Sequence, residues 1–104
     1  MEQNQVIDIP LIAGCSVRLT IEGNLESCTV EIIFLGASLG SFKVDLGELV
    51  KTGKIAFVLN LGLCKGSIHI SIVGNTLVIE VIGKLFIFPK WVGFDKTVEI
   101  KITD

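Results

Sequence analysis

The chain is poor in the residues that carry chemistry. Its 104 residues hold no tyrosine, one histidine, one tryptophan, one arginine, three cysteines and two prolines. Nucleophilic catalysis needs a Cys or Ser within reach of a base, and the strand pairing derived below sets the single imidazole, His69, opposite Asn60 and Glu80, with Cys64 in the turn beyond. The outward acids Glu31, Glu80 and Glu99 fall on separate strands, so no two carboxylates face each other as a glycosidase requires. The glycines form neither a G-x-G-x-x-G loop nor a Walker loop. These shortages point away from an enzyme. Cys15, Cys28 and Cys64 are odd in number and include no C-x-x-C, so they signal neither a zinc site nor a disulfide framework and read as small buried side chains. Asp45 and Asp95 stand without a D-x-D-x-D-G loop, which leaves a metal unassigned, and no cofactor is implied.

Long apolar runs are missing too. The longest apolar region, Gly74 to Phe94, is broken by Asn75, Glu80, Lys84, Pro89 and Lys90, short of the roughly 18–20 residues of a spanning helix. The strands are also shorter than the ten or so residues of a lipid-facing barrel; no membrane insertion is expected. Nine basic residues against eleven acidic give a net charge of −2, which argues against a nucleic-acid partner. The first residues, Met1-Glu2-Gln3-Asn4-Gln5, lack a basic and an apolar signal region, which reads as a cytoplasmic chain, an unconventional exit or a mature secreted form.

What the chain has in quantity is hydrophobic residues, at 50%, and eleven glycines. The first excludes disorder, and the length suits a single domain over residues 1–104. The glycines punctuate β-branched runs: Val6–Leu11, Cys15–Glu22, Ser27–Leu35, Ser41–Leu46, Ile55–Leu63, Ser67–Val73, Thr76–Ile82, Leu85–Phe88 and Thr97–Ile102. Most alternate with period two, the mark of strands. Only Asp45–Thr52 has room for a helical turn, and Gly47 weakens it.

Gly23-Asn24 and Gly74-Asn75 suit two-residue hairpin turns, because both residues accept positive φ. A turn at Gly23-Asn24 sets Leu19 opposite Cys28, Val17 opposite Val30 and Cys15 opposite Ile32. A turn at Gly74-Asn75 sets Ile72 opposite Leu77, Ile70 opposite Ile79 and Ile68 opposite Val81. Taking Leu63-Cys64-Lys65-Gly66 as the preceding turn pairs Leu61 with Ile68, Leu59 with Ile70 and Phe57 with Ile72. Every face so formed is apolar. The expected fold is all-β: two antiparallel sheets packed face to face as a β-sandwich, mostly up-and-down meanders with short hairpins. Residues 16–24 also match residues 67–75 at an offset of 51, as two pseudo-symmetric halves would, or as any two such hairpins would.

On the outward face this register forms a polar row, Asn60–His69–Glu80, beside a row of Val58, Ser71 and Val78. Amide, imidazole, hydroxyl and carboxylate groups beside apolar patches can hold a polyhydroxylated ligand, although His69 with Glu80 is also an ordinary cross-strand pair. Trp91, between Pro89 and Gly93, is expected on a loop, either to stack on a sugar ring or to cap the core. Asn60, His69, Ser71, Glu80 and Trp91 are therefore the candidate carbohydrate-binding residues.

A chain of this length without tyrosine, with short alternating strands and two Gly-Asn hairpins, resembles the small slime-mould haemagglutinins, β-sandwich lectins of the legume-lectin and galectin type. The resemblance covers the whole chain and rests on size, strand rhythm and hairpins. It implies an extracellular or cell-surface lectin that binds glycoprotein glycans without catalysis. The acidic and Asn metal loop of legume lectins is missing, and Trp91 is followed by Val92-Gly93 instead of directly by glycine, so the site residues above come from register alone. Agglutination needs two sites, supplied by a homo-oligomer or by the two halves. Two other readings remain. One is a self-assembling structural protein burying outward Ile33, Leu35, Val58, Val78, Ile82 and Ile87; the other is an apolar-ligand carrier.

Overall fold

The computed structural model describes residues 4–23 and 26–101. The fold is all-β apart from one short helix, and the chain forms two compact units, Met1–Lys51 and Thr52–Asp104. The first holds β1 (Gln5–Ile12), β2 (Cys15–Ile21), β3 (Ser27–Phe34) and β4 (Ala37–Asp45), followed by α1 (Leu46–Thr52). The second holds β5 (Lys54–Asn60), β6 (Cys64–Val73), β7 (Thr76–Ile87) and β8 (Lys90–Lys101). Each set of four strands is one antiparallel sheet in sequence order, a simple meander. Residues 16–21 and 67–72, from the two segments matched at an offset of 51, thus lie in the second strand of each sheet.

In each sheet one face is buried and apolar. Val17, Leu19, Val30 and Ile32 are sealed in the first, and Leu59, Ile68, Ile70, Leu77, Ile79 and Leu85 in the second. Each such side chain contributes roughly 1.5–3 kcal/mol through removal from water. The short helix has local causes. Asp45 accepts the Glu48 N–H at 3.1 Å as an N-cap, Gly53 ends the helix at φ 85°, and Leu46 and Leu49 are buried.

Two of the three expected registers need correction. Around Gly74 the pairing is as expected, with Ile72 opposite Leu77 and Ile70 opposite Ile79. Between β2 and β3 it slips by two residues: Ile21 faces Cys28, Leu19 faces Val30 and Val17 faces Ile32. The last backbone bond at this end runs from the Glu22 N–H to the Ser27 carbonyl at 3.1 Å, beyond the Ile21–Cys28 pair. Asn24 itself lies outside the described residues. Between β5 and β6 the slip is four residues, pairing Phe57 with Ile68 and Asn60 with Lys65. Here the turn is tighter and earlier. Gly62, at φ 77°, turns the chain, Leu61 N–H donates to the Cys64 carbonyl at 2.9 Å, and Cys64 and Lys65 already belong to β6. Both slips are even, so every inward residue stays inward while its partner changes.

Leu85–Phe88 continues β7 through Ile87 without turning back, and Trp91 lies in β8, so the expected loop shrinks to Phe88-Pro89, joined by a cis peptide bond. Of the expected outward residues, Leu35, Val58 and Ile82 are exposed, but Ile33 is buried beside a register irregularity between β3 and β4. Among the described residues no helix is long and apolar enough to cross a membrane.

Candidate functional site

The solvent-facing side of the β5–β8 sheet is a set of parallel rows. Asn60, Lys65, Lys84 and Gly93 form one row across β5, β6, β7 and β8. Val58, Ser67, Ile82 and Asp95 form the next, and Ala56, His69, Glu80 and Thr97 the one after. Ser71 pairs with Lys54 on β5 and with Val78 on β7. Beyond Lys84 and Gly93, Phe86 faces Trp91. Successive rows are two residues apart, about 7 Å along the strands.

This geometry divides the expected site. His69 does face Glu80, with Ser71 one row on, but Asn60 faces Lys65 and stands two rows, about 13 Å, from His69. His69 Nε2 lies 3.2 Å from Ser67 Oγ, and among the described residues no ion pair joins it to Glu80. Asn60 instead belongs to the end of the sheet that carries Trp91.

That end holds a built cluster. Trp91, at 40% exposure, projects from β8, and its ring centroid is 5.2 Å from that of Phe86 at a 59° tilt. Phe86 in turn sits edge-on to Phe88, which is 86% exposed at the turn. The ammonium groups of Lys65 and Lys84 each stand 5.2 Å from the Trp91 ring centroid, within cation–π range. Lys65 is two strands from Trp91, so the indole and that lysine meet over β7. Gly93 leaves no side chain in the row beside the indole, and a Cβ there would find its nearest neighbour, the Gly83 carbonyl oxygen, at 3.7 Å. The result is an open step beside an aromatic ring, rimmed by two ammonium groups, with Asn60 in the same row at the far edge of the sheet, three strands or about 14 Å away.

Lys65 and Lys84 were not among the sequence candidates, yet the signal was present. The Gly74-Asn75 register, carried four residues past Val81, pairs Lys65 with Lys84 and Cys64 with Leu85. Reading Leu63–Gly66 as a turn stopped the pairing short of them.

The outer face of the first sheet is different in kind. Arg18 lies between Asp8 and Glu31 in register and donates from Nε to Asp8 Oδ1 at 2.9 Å. That hydrogen bond and the charge of Asp8 raise the guanidinium above its ordinary pKa, and Glu31 adds to the effect. Charges of alternating sign satisfy one another there. None of the three cysteines forms a disulfide, and burial pushes the Cys28 thiol up to about 11. Among the described residues no group of three His, Cys, Asp or Glu side chains is placed to hold a metal ion. Comparison with known proteins returns no matching family model, no similar curated protein and no similar solved structure.

Proposed function

We propose that the chain is a lectin, binding cell-surface glycans without transforming them, through the Trp91 end of the outer face of β5–β8. The observation that carries this reading is the half-exposed indole of Trp91 lying beside the empty step at Gly93. A pyranose ring presents a C–H face and a polar edge. The indole offers the first a flat apolar partner, and the Lys65 and Lys84 ammonium groups offer the second donors. Phe86 packs against the indole and fixes its tilt, which limits the entropy lost on binding. The resemblance to slime-mould haemagglutinins points the same way. Agglutination at the cell surface needs two sites engaged together, from a homo-oligomer or from the two halves of the chain.

A glycan array probed with the wild-type chain and with Trp91→Ala tests the reading. Binding by the first and its loss in the second support it. An array on which the wild-type chain binds nothing ends it.

A further inference from the structure

Resting on that reading, we infer that the site selects acidic glycans, those whose sugar rings carry a sulfate or a carboxylate. Lys65 and Lys84 face each other directly across β6 and β7. Like charges in directly opposed positions repel and weaken a sheet. Among the described residues neither ammonium is ion-paired, although Arg18, on the other sheet, takes Asp8 as its partner. The nearest carboxylate by register is Asp95, one row away opposite Ile82. The two lysines converge on a single ring, each 5.2 Å from the Trp91 centroid, so the positive charge is concentrated beside the indole and its neighbouring step. A neutral sugar can accept hydrogen bonds from the ammonium groups but leaves their charge uncompensated. An anionic substituent compensates it, since it accepts charge-assisted hydrogen bonds from both ammonium groups and removes their repulsion, while its ring occupies the step at Gly93.

The same charges could serve an anionic lipid surface. The arrangement favours the glycan. Trp91 lies against Phe86 and under both lysines, while only Phe88 stands fully clear of the sheet at the turn. Insertion would call for the aromatic groups to project beyond the cations.

The test is titration of the full chain with a sulfated oligosaccharide, a hexuronate oligosaccharide and a neutral oligosaccharide of the same ring type, at low and high salt. Vesicles of neutral and of anionic phospholipid form a further arm. Lys65→Gln, Lys84→Gln, the double variant, Trp91→Ala and Arg18→Gln are compared with wild type. The expected result is acidic over neutral binding by about tenfold or more, the size of one charge-assisted hydrogen bond. Each lysine change should weaken acidic binding several-fold, and the double variant should bring it to the neutral level. Arg18→Gln should leave it unchanged, and added salt should reduce the preference. Equal affinity for acidic and neutral oligosaccharides, still lost in Trp91→Ala, overturns this inference and leaves the lectin reading standing. Binding to no glycan of either kind overturns both. Capture by anionic vesicles without binding of acidic oligosaccharides also overturns the inference.

Discussion

Gly66 and Gly83 face each other across β6 and β7, and each stands where the other strand leaves no room for a side chain. A Cβ on Gly83 would run into the Lys65 carbonyl oxygen and come within 2.9 Å of the Gly66 Cα. A Cβ on Gly66 would run into the Ile82 carbonyl oxygen, and its φ of +154° is one that side chains rarely adopt. The obstacles are backbone, so neither rotamer changes nor small side-chain shifts relieve them. In sequence the two glycines adjoin Lys65 and Lys84, so this close approach lies in the backbone that carries both lysines. Gly83→Ala should cost about 2–3 kcal/mol, read as a lower midpoint in urea unfolding, and should weaken glycan binding as well.

Gly93 offers the opposite case one strand away. Its Cβ position is open and its φ is not positive, so Gly93→Val should fold with unchanged or slightly raised stability, as a β-branched residue replaces glycine in a strand. The valine fills the step beside Trp91, so glycan binding should fall while the melting temperature holds. Parallel melting and binding curves check both halves of the expectation.

The two clusters on the outer face can be told apart by substitution. Trp91→Ala should weaken glycan binding by tenfold or more, about 1.4 kcal/mol. His69→Ala removes a side chain two rows from the Asn60–Lys65–Lys84 row and should leave the dissociation constant within about twofold. Isothermal titration of both variants with one glycan settles which cluster binds.

Cys28 gives a dependence on pH. Its folded thiol is pushed up to about 11 by burial, above the ordinary value near 9 that the unfolded chain shows. Between those two values the unfolded chain has lost a proton that the folded chain keeps. Stability conferred below about pH 9 should therefore decline as the pH rises towards 11. Cys28→Ala should flatten that decline in unfolding midpoints measured across the range. A thiol reagent at pH 8 should modify Cys28 far more slowly in the native chain than in urea.

Period-two alternation showed which face of each strand is buried, because an even slip in register leaves every side chain on its side. It did not show which residue lies opposite which. The Gly74-Asn75 turn is local, and its pairing could be counted out correctly from Ile72 and Leu77. The β2–β3 loop is closed by Glu22 and Ser27, and the β5–β6 turn is set by Gly62; backbone bonds of this kind leave no alternation to count. The polar row therefore broke at Asn60, while His69 opposite Glu80 survived because it depends on the legible turn alone. Trp91 is singled out in sequence as a loop residue between Pro89 and Gly93, but it lies in β8, and those two residues mark a two-residue turn and an open step.

The most direct test of the account follows backbone amide and indole N–H resonances of the isotopically labelled chain during titration with a bound glycan. The largest shifts should fall on Lys65, Lys84, Trp91 and Gly93, with the Trp91 indole N–H moving with them. Shifts centred on His69, Glu80 and Ser71, or on the Arg18 face of the first sheet, with Trp91 unmoved, would contradict it.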